Sequence, residues 1–294
     1  MSDFTPLRSV LYMPSSNERA LEKAKTIACD GLILDLEDAV APDAKPAARE
    51  AAAAAAASGD YGRRTVAVRV NGLGTEWHDD DIVAASQAGP AAIVVPKVDS
   101  AEDVGRLVAA MEKAGAPDHT RLWAMVETPV AILDALAIAR ASERIGAFVL
   151  GTNDLVKELY AEHVPGRGPI LPSLHTALLA GRTAGIAVID GVYNDVKDTA
   201  GFLAECEQGR QMGFDGKTLI HPGQVEGANR AFAPSEQAVA DARGLIAAWE
   251  DARRESGGGA GVATFNGKMV ENLHVESARR TLAIDEAIRA LGTD

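Results

Sequence analysis

Short apolar, β-branched runs alternate with Ala- and Leu-rich segments along most of the chain. Eight such runs can be distinguished, at residues 10–13, 32–34, 66–70, 92–95, 122–126, 148–150, 186–189 and 218–220. Nearly continuous apolar runs are typical of parallel strands that are buried on both faces. The intervening segments, such as 101–115 and 129–140, carry the charged faces expected of helices. This repeated alternation predicts an α/β fold, a closed (β/α)8 (TIM) barrel.

A doubly wound open sheet is the competing interpretation of the same alternation. Such a sheet normally places a glycine-rich turn for a nucleotide pyrophosphate after its first strand. Residues 13–17, which follow the first run, contain no glycine. This favours the closed barrel.

The chain is predicted to divide into a barrel at residues 1–235 and a helical extension at residues 236–294. The glycine-rich stretch 256–261 has the composition of a flexible joint. Beyond it, residues 276–291 are predicted to form a further helix, so the extension is expected to be an appendage that can swing over a site. The alanine run 51–57 is predicted to be part of an exterior barrel helix, because Ala is the best helix former.

Composition and charge exclude several classes of protein. With 294 residues, 47% hydrophobic and 24% charged, the chain can bury a large core, which excludes disordered and fibrous classes. A net charge of −13 argues against nucleic-acid binding. Cys29 and Cys206 lack ligand-like spacing and are expected to be buried thiols. Neither a secretory leader nor a membrane span is expected, so a cytoplasmic location without membrane partners is predicted.

Polar and charged residues follow the predicted strands, at the end where such barrels carry their active sites. They are Asp35, Glu37 and Asp38 after the second strand, Arg69 and Asn71 at the third, Lys97 after the fourth, Glu127 after the fifth, Gly151, Thr152, Asn153 and Asp154 after the sixth, Asp190 after the seventh and His221 after the eighth. So many polar groups at one end would be costly to desolvate for structure alone. The sequence therefore predicts a catalytic or binding site there.

Glu127 and Asp154 are the candidate metal ligands, since neighbouring strands would bring both carboxylates to one point. Two carboxylates with water and substrate oxygens are a usual Mg²⁺ arrangement. The alternative is that one of them pairs with an Arg or Lys at the barrel mouth. Arg69 is the candidate to hold a substrate carboxylate or enolate oxygen in a fork geometry. Its alternative is an ion pair with Glu37 or Asp38, which could also orient it, while Asp35 is interpreted as structural.

The same positions carry a family resemblance. The motifs, in order along essentially the whole chain, are Arg-Ser-Val-Leu-Tyr-Met-Pro (8–14), Asp-Leu-Glu-Asp-Ala-Val (35–40), Arg-Val-Asn (69–71), Val-Pro-Lys (95–97), Glu-Thr-Pro (127–129), Gly-Thr-Asn-Asp-Leu (151–155), Ile-His-Pro (220–222) and Gly-Lys-Met-Val (267–270). The chain resembles the citrate lyase beta subunit and malyl-CoA lyase family, within the HpcH/HpaI aldolase superfamily.

The resemblance implies a set of roles around the barrel mouth. Mg²⁺, with Mn²⁺ as a possible substitute, would be held by Glu127 and Asp154. Arg69 would contact the substrate, with Glu37 and Asp38 as further catalytic candidates. The segment Gly151, Thr152 and Asn153 is the remaining substrate-binding candidate; many members have an acidic residue at the position of Asn153.

The resemblance also implies an assembly and a coenzyme. A homotrimer or homohexamer is expected, in which the extension caps a neighbouring subunit's site and delivers a carboxylate, here Glu271 where the family usually has aspartate. A surface glutamate in a linker is the alternative. Arg19 and Lys25 on the first helix are the candidate contacts for coenzyme A phosphates, the alternative being an ordinary solvated helix face.

The expected activity is Mg²⁺-dependent carbon–carbon cleavage of a hydroxyacyl-CoA thioester of the malyl-CoA or citramalyl-CoA type, giving acetyl-CoA and a 2-oxoacid. Three alternatives stay open at this point: a citryl-carrier-protein lyase subunit of a citrate lyase complex, a malyl-CoA thioesterase, and a non-catalytic protein that binds CoA and metal. A CoA-free pyruvate aldolase would not need the extension.

Overall fold

Eight parallel strands close into a barrel, as the alternation of the sequence predicts. The structure is a computed structural model that describes residues 5–255 and 262–292. Each strand pairs with the next, and β1 pairs with both β2 and β8, which closes the sheet. The barrel strands are β1 (Ser9–Pro14), β2 (Gly31–Asp35), β3 (Thr65–Arg69), β4 (Ala92–Val95), β5 (Arg121–Val126), β6 (Ile145–Leu150), β7 (Ala187–Asp190) and β8 (Gly216–Leu219).

Helices follow every strand of the barrel. They are α1 (Glu18–Ala24), α2 (Lys45–Ala57), α3 (His78–Ala88), α4 (Ala101–Lys113), α5 (Pro129–Leu133), α6 (Ala135–Arg140), α7 (Thr152–Glu158), α8 (Leu171–Ala184), α9 (Thr199–Met212) and α10 (Val225–Phe232). The alanine run lies in α2, where Ala48 and Ala52 are buried against the barrel. The closed barrel is thereby confirmed over the open sheet.

Alternate residues of each strand belong to two separate apolar cores. Val10, Ile33, Ala67, Met125 and Ile189 pack together without any helix residue, so they fill the barrel interior. Their strand neighbours pack with the helices in a second, larger cluster between the barrel and the helical layer. Because strand side chains alternate with a period of two, the parity of a position decides whether its side chain lies inside or outside the barrel.

The structure divides into two compact units. The first is Leu7–Phe232, and the second contains the C-terminal segment from Ala233 onward. It comprises α11 (Glu236–Glu255), the strands β9 (Ala263–Phe265) and β10 (Lys268–Val270), and α12 (Asn272–Leu291). The two short strands are antiparallel and are joined by Asn266 and Gly267, which have φ of 48° and 73°. Two residues with positive φ are what a tight hairpin turn requires.

The structure differs from the predicted elements at a few places. The eighth strand begins at Gly216, before the apolar run, and includes Lys217, which is completely buried. The helix predicted at 129–140 is two helices that meet at Asp134, whose φ of −96° and ψ of 8° end one and begin the other. The predicted joint at 256–261 lies outside the described residues. Within residues 5–255 and 262–292, no helix combines the length and apolar character that a membrane span requires.

Candidate active site

Four side chains point from the barrel interior toward its carboxyl end. Each stands two residues after an interior residue: Tyr12 after Val10, Asp35 after Ile33, Arg69 after Ala67 and Glu127 after Met125. The period of two therefore places all four on the inner face. The local sequence of the strands thus assembles a polar cluster on top of an apolar barrel core.

Arg69 is held on three sides by this cluster. Its Nε and Nη2 donate to Asp35 Oδ1 and Oδ2, both at 2.6 Å. Its Nη1 lies 2.7 Å from Glu37 Oε2 and 3.5 Å from Asp38 Oδ2. The guanidinium carbon is 4.7 Å from the centroid of the Tyr12 ring, within cation–π distance. The result is a buried, fixed cation at the barrel mouth.

Asp35 is the partner of the arginine fork, and this refines the role expected for Arg69. The Nε–Nη2 edge that could have bound a substrate carboxylate faces Asp35, whereas Nη1 lies beside Glu37 and Asp38. Asp35 also accepts from the backbone N–H groups of Glu37 and Ala39, at 3.0 and 3.1 Å. Asp35 therefore shapes the loop that carries Glu37 and Asp38, in agreement with its interpretation as structural.

The pKa of Glu37 is raised above the usual range of a glutamate. Burial raises the pKa of its carboxyl group, the charge of Arg69 opposes this rise, and Asp38 adds to it. A raised pKa makes Glu37 able to exchange a proton near neutral pH. Asp38 is exposed and lies farther from Arg69.

Lys97 contacts both candidate metal ligands. Glu127 is buried and its Oε1 accepts from the backbone N–H of Lys97 at 2.9 Å. Asp154, in the first turn of α7, has its Oδ1 3.6 Å from Lys97 Nζ. The sequence-based alternative that one carboxylate pairs with a lysine is therefore realised here for Asp154.

The pKa of Glu127 is raised by its surroundings. Burial raises the pKa of Glu127 to about 7, and the negative charge of Asp154 adds to the rise. The two carboxylates are therefore close enough for the charge of one to disfavour ionisation of the other. A cation between a buried Glu127 and a half-buried Asp154 would relieve this repulsion.

Gly151 provides the space that Glu127 occupies. A Cβ at this position would lie 2.1 Å from Glu127 Oε2 and 2.5 Å from Glu127 Cβ. No side chain larger than hydrogen fits there without displacing the glutamate. The contact of Gly151 is thus with Glu127, while the adjacent Thr152 is buried and Asn153 is exposed.

Residues 8–222 match the HpcH/HpaI aldolase/citrate lyase family. The chain belongs to this family. It is 50% identical over 287 residues to the (3S)-malyl-CoA thioesterase of Cereibacter sphaeroides (strain ATCC 17025 / ATH 2.4.3), covering 98% of this chain and 97% of the relative. It is 37% identical to the citrate lyase subunit beta of Escherichia coli (strain K12), covering 94% of this chain and 92% of that subunit. The resemblance drawn from the motifs is confirmed.

A solved structure of similar fold is that of the protein CitE from Mycobacterium tuberculosis in complex with magnesium, acetoacetate and coenzyme A. Its TM-score is 0.75 at 30% sequence identity, and the match covers 96% of this chain and 97% of that one. The barrel and the C-terminal helical elements are therefore features that this chain has in common with solved family structures.

Asp190 and His221 do not join the site, although both follow barrel strands. Asp190 comes directly after the interior residue Ile189, so its side chain lies on the outer face, where it accepts from Arg167 Nη1 at 2.7 Å and Lys217 Nζ at 3.1 Å. His221 caps the short 3-10 helix Pro222–Gln224 through its Nδ1 and is exposed. The contacts of both residues are thus with supporting elements of the fold.

The loop at residues 163–167 lines a cavity of about 510 Å³ together with Thr152, Tyr193 and Asn194. Arg167 of this loop is buried and its charge is taken up by Asp190, so it is not available as a substrate ligand. Asn153 and Asn194 exchange two amide hydrogen bonds, of 3.1 and 2.8 Å, which tie the first turn of α7 to the loop after β7.

The remaining candidates are on α1 and in the second compact unit. Arg19 is exposed in the first turn of α1, whereas Lys25 caps the other end of that helix and pairs with Glu22 at 2.7 Å and Asp60 at 3.0 Å. Glu271 belongs to the second compact unit, where it is exposed at the start of α12 and its N–H donates to His274 Nδ1 at 3.0 Å.

Sequence reasoning overlooked Tyr12 and assigned no role to Lys97. The signal for Tyr12 was its parity, two residues after an interior valine. For Lys97 no pattern was available, because its backbone contact with Glu127 depends on a positive φ of 51° that strand periodicity does not encode.

Proposed function

We propose that this protein is a Mg²⁺-dependent enzyme that acts on a malyl-CoA-type thioester and that thioester hydrolysis is its favoured reaction. The observation that carries the proposal is the pairing of Glu127 with Asp154, which crowds two carboxylates together beside the fixed cation of Arg69. Hydrolysis is favoured over the bond cleavage expected from the motifs because a relative 50% identical over nearly its whole length is named a (3S)-malyl-CoA thioesterase.

The residues at the site fit a magnesium ion. Carboxylate oxygens are ligands that Mg²⁺ prefers, and the ion relieves the repulsion that raises the pKa of Glu127. Because Gly151 has no side chain, no atom at that position covers Glu127 Oε2. Among the described residues no group of three or more His, Cys, Asp or Glu forms a metal cluster. Two protein carboxylates would therefore leave the other coordination positions to water and substrate oxygens.

Hydrolysis assigns a role to each side chain around the ion. When bound, Mg²⁺ supplies Lewis-acid polarisation of the substrate's oxygen atoms. Arg69 Nη1 stabilises the negative charge that develops on oxygen. Glu37, whose pKa is raised by burial, accepts a proton from the attacking water. Water adds to the thioester carbonyl carbon, the carbon–sulfur bond breaks, and the sulfur leaves as thiolate and takes up the proton, giving malate and CoA.

Carbon–carbon cleavage is the second candidate, and the relationship to citrate lyase subunit beta favours it. In that reaction the substrate hydroxyl loses its proton and the adjacent carbon–carbon bond breaks. The hydroxyl carbon becomes the carbonyl of a 2-oxoacid, and the electron pair of the broken bond goes to the thioester enolate. Arg69 would stabilise the enolate, which takes a proton at carbon to give acetyl-CoA.

The surroundings of the site belong to the same proposal. Gly151, Thr152 and Asn153 would contact the substrate on the side of Asp154, with Asp38 as an exposed acidic neighbour of Arg69. Arg19 would contact the coenzyme A phosphates, and Lys25 would do so only after leaving Glu22 and Asp60. In a homotrimer or homohexamer, Glu271 of a neighbouring subunit would supply a further carboxylate for proton transfer.

The deciding experiment incubates the enzyme with malyl-CoA, citramalyl-CoA and citryl-CoA, with Mg²⁺ and then with excess chelator. Free thiol and 2-oxoacid are measured in parallel. Chelator-sensitive thiol release without 2-oxoacid supports hydrolysis, whereas a 2-oxoacid without free thiol supports cleavage. Binding without turnover of any thioester would reject both reactions.

Variants connect the reaction to the proposed ligands. Glu127→Ala and Asp154→Ala are expected to lose Mg²⁺-dependent turnover while keeping the circular dichroism spectrum of the wild type. Glu158→Gln, an exposed carboxylate on the same helix as Asp154, is the matched control and should retain activity. Full activity in either alanine variant contradicts the metal assignment.

A further inference from the structure

Lys97 contacts both carboxylates of the proposed metal site. It reaches Glu127 through its backbone N–H, at 2.9 Å, and Asp154 through its ammonium group, at 3.6 Å. The residue follows β4 and Pro96, so it approaches from the strand next to the one that carries Glu127. The main chain of Lys97 thus contacts one proposed ligand, Glu127, and its side chain contacts the other, Asp154.

The backbone of Lys97 is in the left-handed region, with φ of 51°. This conformation is unfavourable for residues that carry a Cβ. Glycine adopts it freely, and asparagine adopts it more readily than most other residues. Unfavourable backbone conformations persist where the surrounding structure imposes them, often at functional sites. Here the strained residue is the one that donates its N–H to Glu127, and the strain also shows which replacements the position accepts.

The ammonium group of Lys97 is positioned to act as a cation of the site. Its side chain is 49% exposed, so it can move between the carboxylates and solvent. Lysine ammonium groups are protonated at neutral pH, and this one lies 3.6 Å from Asp154 Oδ1. The group is therefore positively charged at neutral pH beside the two carboxylates.

An ion pair at this distance and exposure contributes little to folding stability. Its effect on a metal ion is larger, because an ammonium group and a divalent cation repel each other over a few ångströms. An ammonium group displaced from Asp154 remains at the barrel mouth, where an anionic substrate would lie. The same side chain can thus weaken metal binding and favour a substrate anion.

We propose that Lys97 is a positioning residue whose ammonium group is the resident counter-ion of Asp154, is displaced by the divalent metal, and then pairs with the substrate carboxylate. This inference rests on the proposed metal site. It makes metal binding and anion binding cooperative: metal binds weakly alone, and more tightly once an anionic 2-oxoacid gives the displaced ammonium group a new partner. Cooperativity of this kind is reciprocal, so metal should strengthen anion binding by the same factor.

Calorimetric titration of Mg²⁺ into the purified full-length chain tests the inference. Lys97→Asn removes the charge, keeps the backbone N–H and tolerates positive φ, and Lys97→Gly is a second variant with the same properties. We expect both to bind Mg²⁺ about tenfold more tightly than wild type in the absence of any anion. Lys97→Arg, the matched control, retains the charge and should bind Mg²⁺ as wild type does.

The second titration repeats these measurements with excess pyruvate, a simple 2-oxoacid. The advantage of the neutral variants should shrink by at least about threefold, since the wild-type ammonium group then has an anionic partner. Equal Mg²⁺ affinities of wild type and both neutral variants, or an advantage that pyruvate leaves unchanged, would overturn the inference alone. Wild-type protein that binds no Mg²⁺, or binds it as well after Glu127→Gln, would overturn the proposed metal site and this inference with it.

Discussion

Glu127→Gln should stabilise the metal-free protein while it abolishes metal binding. Burial and the charge of Asp154 raise the pKa of Glu127, so its ionised form is disfavoured in the folded state. The folded protein then binds this proton more tightly than the unfolded chain does. Stability from this group is therefore fully present below the unfolded pKa and is lost as pH rises through the folded pKa.

The structure gives the size and the pH window of this effect. A rise from 4.5 to about 7, at about 1.4 kcal/mol per pH unit, corresponds to a loss of about 3 kcal/mol for wild type above that window. Glutamine has no charge to desolvate and can keep the acceptor for the N–H of Lys97. We therefore expect the variant to be more stable than wild type by about 1–3 kcal/mol at about pH 8 and by little at about pH 4.5.

Urea-induced unfolding in the presence of chelator, followed by far-UV circular dichroism, measures this difference. Addition of Mg²⁺ should then stabilise wild type and leave Glu127→Gln unchanged, because only the native wild-type site binds the ion. Glu158→Gln is the control, since that carboxylate is exposed. If wild type and Glu127→Gln show the same pH dependence without metal, the electrostatic reasoning about the crowded pair is refuted.

Two further predictions concern residues that support the site. Gly151→Ala places a Cβ 2.1 Å from Glu127 Oε2 and should weaken Mg²⁺ binding at least about tenfold by calorimetry. Gly105→Ala in α4, where nothing lies within 4 Å of the added Cβ, should leave binding unchanged. Wild-type affinity in Gly151→Ala would contradict the view that Glu127 needs the space at Gly151. Lys45 is buried and donates to Leu36 O at 2.8 Å, Glu37 O at 2.9 Å and Asn71 Oδ1 at 2.7 Å, so Lys45→Met should cost about 2–4 kcal/mol in urea unfolding. Exposed Lys113→Met should change stability by less than about 0.5 kcal/mol, and an equally small effect at Lys45 would show that its three acceptors are satisfied by other groups.

The barrel could be predicted from sequence because its signal is repeated and local. Each interior strand is an apolar run, and the order of the runs is the order of the strands around the barrel. The eighth strand begins two residues before its apolar run, since Gly216 and Lys217 carry no apolar signal. That lysine is compatible with a buried strand only because Asp190 and Glu205 lie 3.1 and 2.7 Å from its ammonium group, and such partners come from distant parts of the chain.

The site could be predicted in part, by position along the strands. That polar residues gather at one end follows from the barrel, but which of them face inward depends on parity. Arg69 and Glu127 are on the interior register, whereas Asp190 is one residue out of it and belongs to the outer layer. Reading the parity of each strand would have separated Asp190 from the site and drawn attention to Tyr12.

The contacts within the site could not be predicted, because they depend on geometry between strands. Nothing in the sequence distinguishes Asp35 from Glu37 as the partner of the Arg69 fork. The difference is that Asp35 is the last residue of β2 and pairs in register with Arg69 on β3. The hairpin of the second unit, in contrast, had a local signal in Asn266–Gly267 that predicts a tight turn between two short strands.

The reciprocal amide pair of Asn153 and Asn194 has a consequence for how this site can diverge. Each side chain both donates and accepts, so the first turn of α7 and the loop after β7 are joined without adding charge next to Asp154. A carboxylate at residue 153 could accept from Asn194 but could not return a hydrogen bond, and it would add a third negative charge near the two metal ligands. Chains of this lineage with an acid at 153 are therefore expected to carry a donor-only side chain at 194, so the two positions should change together.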